Sequence, residues 1–151
     1  MSNFTSFMDE AIKEAKKALL KDEVPVGAVI VDGVGNIIAR SHNGNITRKD
    51  STAHAEILAI REACEKTDSH RLDNCTLYVT LEPCSMCAGA ISLARIRRVY
   101  FGASDLKFGA VEHGPKIFNS SSCHHRPEVY SGIKEEECQK LLKDFFVQKR
   151  N

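Results

Sequence analysis

Two short segments constrain this chain more than anything else in it: Thr52-Ala-His-Ala-Glu56 and Leu81-Glu-Pro-Cys-Ser-Met-Cys87. Each holds side chains that bind metals, and neither makes a site alone. Cys84 and Cys87 are three residues apart, so in the first turn of a helix they share a face. A helix N-terminus carries partial positive charge, which favours thiolate over thiol. Two thiolates and one neutral imidazole make a three-ligand zinc site, and the thiolates cancel the metal's charge. His54 supplies the imidazole from a second helix start. Any fold of this chain must then aim two helix starts at one point.

Neither segment offers a fourth ligand. An open position that holds water marks a catalytic zinc site rather than a structural one. Zinc lowers the pKa of such a water to about 7. Glu56 lies two residues from His54, and residues so spaced do not share a face of an ideal helix. The two converge only if the metal sits beyond the helix end. From there Glu56 takes a proton from the water and passes it on. Each piece has another reading. An isolated C-x-x-C is also a redox pair, an isolated H-x-E carries little, and a structural zinc would need a fourth ligand nearby.

Six cysteines admit a disulfide framework. The N-terminus, MSNFTSFMDE, lacks the basic and apolar regions of a secretory signal, and 151 residues hold a core without staples. Cys64, Cys75, Cys123 and Cys138 therefore read as free thiols. Cys123 with His124 reads as loop rather than as a second metal site. No window approaches the ~20 apolar residues of a membrane span, and QKRN is no lipidation signal, so a cytoplasmic protein is expected. A net charge of +1 neither supports nor excludes a nucleic-acid partner, because one local basic patch suffices for a small RNA.

Periodicity supplies the frame. Asn3 to Lys21 has apolar residues at Phe4, Phe7, Met8, Ala11, Ile12, Ala15, Ala18 and Leu19, which predicts an amphipathic helix. Pro25–Val31 reads as a buried strand, Asp32–Asn36 as a turn, and Ile37–Arg40 as its hairpin partner. His42–Asp50 reads as loop and Ser51–Glu65 as a second helix. Thr76–Thr80 is a strand with Leu81 at its end, and Pro83 begins a third helix to about Ala94. Arg98–Gly102 is a strand, and Ala103–Arg126 is irregular with a short helix near Pro115. Glu128–Ser131 is a last strand. A final helix after Gly132 uses Ile133, Cys138, Leu141, Leu142, Phe145 and Phe146. This alternation predicts one α/β domain over 1–151, with helices on both sides of a sheet.

The two segments together resemble the zinc-dependent cytidine and deoxycytidylate deaminase superfamily, whose signature is H-x-E followed by P-C-x-x-C. Further pieces resemble its tRNA-specific adenosine deaminase branch: Glu23–Val29, His42-Asn43, Thr52–Ile57, Leu77–Cys84, Met86–Ala90, Arg98, Phe101–Ala103, Asp105 and Phe145-Phe146. The resemblance implies a three-layer α/β/α sandwich around a five-stranded mixed sheet, and one Zn2+ per subunit held by His54, Cys84 and Cys87, with Glu56 catalytic. It implies hydrolytic deamination of adenosine to inosine at the wobble position of a tRNA anticodon stem-loop, by a homodimer. It further implies that Asn43 contacts the purine, that Asp105 and Lys107 lie beside flanking nucleotides, and that Phe145 and Arg150 of the last helix lie near the RNA. Asn43 could equally shape its loop, Asp105 could be a turn or cap residue, and Phe145 fits the core by periodicity. Two rival functions remain: deamination of free guanine, cytosine or deoxycytidylate, and a non-catalytic RNA-binding module with structural zinc.

Overall fold

The computed structural model describes residues 4–150, with side chains for 7–149. Asn3 and the side chains of Phe4 and Arg150, used above, lie outside the described residues. The elements are α1 (Phe4–Leu20), β1 (Gly27–Val31), β2 (Ile37–His42), α2 (Ala55–Thr67), β3 (Thr76–Leu81), α3 (Ser85–Ala94), β4 (Arg98–Ala103), β5 (Glu128–Tyr130) and α4 (Glu135–Arg150). A 3-10 turn at Ile117–Asn119 sits close to the short helix expected near Pro115.

The sheet runs β2-β1-β3-β4-β5. β1 is antiparallel to both neighbours, whereas β3, β4 and β5 are parallel, so the sheet is mixed. The cross-strand partners Tyr78, Tyr100 and Tyr130 stack with ring centroids 4.8 Å apart at each step, which pins the register of β3, β4 and β5.

One face of the sheet carries α1 and α4, through Met8, Ala11, Ile12 and Cys138 against Val29, Val31 and Tyr78. The other carries α2 and α3, through Ala55, Ala59, Ala63, Ala88 and Ile91 against Ala28, Ile30, Leu77, Val79 and Phe101. This is the expected α/β/α sandwich. Alanine and glycine set the spacing on the α1 side. A Cβ at Gly27 would lie 2.0 Å from the Ala11 carbonyl oxygen and 2.4 Å from the Ala15 nitrogen, so α1 rests directly on the β1 backbone.

Several boundaries move for identifiable reasons. β1 begins at Gly27 rather than Pro25, and β2 extends to His42, which pairs with Gly27. α2 begins at Ala55 rather than Ser51, because Asp50 Oδ1 accepts from the Thr52 nitrogen (2.9 Å) and hydroxyl (2.7 Å) and commits that stretch to a turn. α3 begins at Ser85 rather than Pro83: the Pro83 carbonyl accepts from Ala110, and Cys84 pairs with Gly109, so both residues stay extended. α2 continues to Thr67, where Asp68 takes the left-handed conformation at φ 52° and closes the end. α4 starts at Glu135, because Lys134 has φ 56°.

Candidate active site

α2 and α3 both start at the C-terminal side of the sheet's centre, and each is preceded by a residue that could hold a metal ion. His54 is the N-cap of α2 and Cys84 the N-cap of α3, both with extended backbone, and neither side chain caps its own helix. Asn43 supplies the missing cap of α2: its Oδ1 accepts from the Ala55 nitrogen at 2.8 Å. That frees the His54 ring to turn across toward α3.

The ring meets two sulfurs. His54 Nδ1 lies 3.6 Å from Cys84 Sγ and 3.5 Å from Cys87 Sγ, and all three ligand atoms lie within 4.8 Å of one another. For a tetrahedral zinc with bonds of about 2.3 Å to sulfur and 2.0 Å to nitrogen, the N···S edge is about 3.5 Å. The side chains are thus already spaced for that ion. Among the described residues no other group of His, Cys, Asp or Glu is gathered this way. Cys87 is fully buried, whereas His54 and Cys84 are partly open on one side.

The local electrostatics suit a cation. A hydrogen bond from Cys87, together with one from His54, holds the Cys84 thiol down to about 4 despite its burial. The same bond to Cys84, with burial, pushes the Cys87 thiol up. The pair shares one proton, which a divalent ion would displace. Hydrogen bonding to Cys84 raises the His54 pKa. Glu56 is 4% exposed, and burial pushes its carboxyl up to about 7, against the opposing pull of its own backbone and of His54. Its carboxyl also contacts the Cys87 thiol. A carboxyl near 7 can both accept and give a proton at neutral pH.

The remaining expected residues are placed as follows. Asn43 sits at the site, its carboxamide oriented by the Ala55 bond. Asp105 Oδ1 accepts from the nitrogens of Lys107 (3.1 Å) and Phe108 (3.0 Å), which is the turn role. Lys107 is exposed, its ammonium 5.3 Å from the exposed Phe108 ring. Phe145 is 6% exposed, so its ring packs inward, and Phe146, 47% exposed, is the outward aromatic of α4. Arg150 ends α4, its side chain outside the described residues. Cys123 bonds to Ser92 Oγ and to the His125 carbonyl, and with His124 it lines a separate cavity of about 240 Å³ beyond α3.

Two buried carboxylates that pin loops beside the site have no counterpart in the sequence reading, and a third, Glu14, which the periodicity puts on the polar face of α1, is also buried. Glu82, 2% exposed, takes the nitrogens of Asp105, Val111, Glu112 and His113 and the His113 ring. Burial raises its pKa, but the bonds from Asp105, His113 and Glu112 outweigh that and hold the carboxyl below its ordinary range. A Cβ at Gly109 would lie 2.6 Å from this carboxyl carbon, so only glycine lets the loop close over it. Glu23, also 2% exposed, takes the Ile46 and Thr47 nitrogens and the Thr47 hydroxyl. Each glutamate anchors one loop beside the site. The available signal was a carboxylate inside an otherwise apolar run, Leu81-Glu-Pro and Glu-Val-Pro-Val.

A metal-ready His and Cys pair at two helix starts, with a buried carboxyl beside them, defines a zinc hydrolase site on an α/β/α sandwich. The chain belongs to the cytidine and deoxycytidylate deaminase family, whose zinc-binding region matches residues 1–103. His54, Glu56, Cys84 and Cys87 all fall inside that match. Its relatives narrow the branch. A tRNA-specific adenosine deaminase of Agrobacterium fabrum is 54% identical over 99% of this chain and 98% of its own. Another, of Bacillus subtilis, is 51% identical over 95% of this chain and 89% of its own. A structure solved in studies of A-to-I editing by tRNA:A34 deaminases at the wobble position of transfer RNA matches with TM-score 0.89 and 55% identity, over 91% of this chain and 99% of that one.

Proposed function

We propose that this chain hydrolyses the 6-amino group of adenosine to give inosine at the wobble position of a tRNA anticodon stem-loop. The observation that carries this reading is the His54, Cys84 and Cys87 cluster with its N···S spacing of 3.5 and 3.6 Å and the buried Glu56 beside it. The relatives named for this activity, matched over nearly the whole chain, choose adenosine in tRNA among the family's substrates. One Zn2+ per subunit would be held by His54, Cys84 and Cys87 and would supply a Lewis acid that makes a water nucleophilic near neutral pH.

The chain's own residues do the rest. Glu56 takes a proton from the attacking water and delivers it to N1 of the purine as the C6–O bond forms. It then takes the proton of the new C6 hydroxyl and passes it to the 6-amino nitrogen, so that the C6–N bond breaks, ammonia leaves and the C6 carbonyl of inosine forms. Asn43 Oδ1 is committed to Ala55, which turns the amide NH2 outward as a donor for the purine. Asp105 and Lys107 lie on the loop beside Cys84, where flanking nucleotides pass. A splayed loop nucleotide reaches such a site at least cost, which suits an anticodon. Phe145 seats α4, and Arg150, the last residue of that helix, is the further RNA contact of this reading. Lys149 Nζ, 2.5 Å from Asp22, ties that end to the corner before Glu23. The protein works as a single-domain homodimer in the cytoplasm, where tRNA is.

The test is direct. Zinc-loaded protein incubated with an anticodon stem-loop bearing adenosine at the wobble position yields inosine, and free guanine, cytosine and deoxycytidylate yield no ammonia. Intact adenosine in the RNA refutes the reading.

A further inference from the structure

A second concavity opens beside Asn43, away from the sulfur ligands. It holds about 140 Å³ and is lined by Lys21, Arg40, His42, Asn43, Thr47 and Arg48, with Glu62 at its edge. At roughly 30 Å³ per water it has room for several waters. Its charges sort clearly. Arg40 is paired with Glu10, which also pairs with Lys13. Glu62 accepts from the Arg40 backbone nitrogen at 2.8 Å. His42 is a bracket: its Nδ1 lies 3.1 Å from Glu14, which is 4% exposed behind the cleft, and its Nε2 lies 3.2 Å from Lys21 Nζ. The Lys21 ammonium is thereby held at the opening.

Arg48 is the other cation. Its guanidinium has no hydrogen bond or ion pair with any described residue, its charge acts on Asp50, and the side chain lies over Gly44. A Cβ at Gly44 would come 3.2 Å from Arg48 Cδ and Nε, so the glycine keeps that path open. Glu23 fixes the same loop from below through Ile46 and Thr47. Two cations thus face a cleft with room for several waters, lined in part by Asn43, which also caps the helix that follows His54. An arginine fork and a lysine at one opening match the oxygens of a phosphate group.

We propose that this cleft is a phosphate subsite, in which Arg48 and Lys21 hold one phosphodiester of the RNA strand beside the target nucleoside. The inference rests on the RNA reading above and adds to it a seat for the backbone. Phosphate contacts set register without reading sequence, which is the task that remains once Asn43 and Glu56 handle the base.

The experiment measures equilibrium binding of the anticodon stem-loop across a salt series, by fluorescence anisotropy, in a zinc-loaded Glu56→Gln background so that the RNA stays intact. In the Lys21→Ala/Arg48→Ala variant, affinity at 0.1 M salt falls about tenfold or more, the scale of one charge-assisted bond. The slope of log K against log salt flattens by about 0.7, the value for one single-strand phosphate. Lys66→Ala/Arg71→Ala, in the last turn of α2 and in the loop after it, leaves both unchanged. Inorganic phosphate competes with the RNA for the parent protein beyond its ionic-strength effect, and does not for the cleft variant. An unchanged affinity and slope in the cleft variant overturn the subsite, and competition by inorganic phosphate that persists in that variant does the same, because the anion then displaces RNA from another site. Absence of RNA binding by the parent protein overturns the RNA reading as well, so the two failures are distinguishable.

Discussion

Glu82 offers the sharpest test of how the site is held together. Glu82→Gln keeps the side chain's shape and removes one acceptor. On the Oε1 side the new amide nitrogen would face the Asp105 N–H at 3.0 Å, and on the Oε2 side the N–H groups of Val111, Glu112 and His113 at 3.2, 2.9 and 3.1 Å. The better orientation still strands one buried donor, at a cost of about 1–3 kcal/mol. It also turns three charge-assisted bonds into neutral ones, at about 0.5–1 kcal/mol each. The sum is about 2.5–6 kcal/mol, a large part of the roughly 5–15 kcal/mol available to a domain of this size. Urea denaturation of the zinc-loaded variant, read by circular dichroism, shows the loss as a lower midpoint with an unchanged slope. The melting temperature falls by about 10 °C. The 105–113 loop loosens with it, so KM for the stem-loop rises. A loss below about 1 kcal/mol refutes the claim that this carboxylate holds the loop against Cys84.

Other perturbations probe separate parts of the argument. Glu56→Gln keeps its zinc, measured by plasma mass spectrometry, and loses about 10²-fold or more of kcat; near-normal turnover removes Glu56 from proton transfer. Cys87→Ala, which deletes a fully buried ligand, lowers zinc content from about one per chain to near zero in the same assay, and retention of full metal would show that the triad is not the site. Glu23 has a folded pKa below its ordinary 4.5: burial raises it, and the bonds from Thr47 and Ile46 outweigh that. Its stabilising contribution is therefore complete above about 4.5 and lost as pH falls through the depressed value. Glu23→Gln accordingly costs about 1–3 kcal/mol at pH 7, and the difference from the parent shrinks in acid; a difference that grows in acid contradicts the sign. Gly27→Ala drives a methyl into the α1 backbone and costs about 3 kcal/mol or more by thermal denaturation, whereas a neutral result would mean that α1 can lift off β1 freely.

The proposed zinc ligands and Glu56 were legible because they are local. Cys84 and Cys87 lie one helical turn apart, and His54 and Glu56 two residues apart, so spacing alone carries the chemistry. The strands were legible for the same reason: Thr76–Leu81 and Arg98–Ala103 are runs of β-branched and aromatic residues with few alternatives. Helix starts were less so. The turn made by Asp50 moved α2 from Ser51 to Ala55, and the contacts of Pro83 and Cys84 with Ala110 and Gly109 moved α3 to Ser85. The partner groups in the second case lie more than 20 residues away, where no periodicity reaches.

What the sequence determined by itself is the inventory: a His, Cys and Cys set with the spacing of a metal site, a glutamate two residues from the histidine, an α/β alternation, and four further cysteines that stay unpaired. What only the tertiary structure decided is arrangement. Asn43 became the cap of α2, a role twelve residues removed from the nitrogen it serves. Glu23 and Glu82 became the pins of two loops, and Lys21 and Arg48 came to one opening from different elements. The physical reason is the same in each case. A ligand set is specified by residue type and short spacing, but a buried carboxylate or a free cation acquires its role from whichever distant donors or anions the packed sheet and helices bring within about 3 Å.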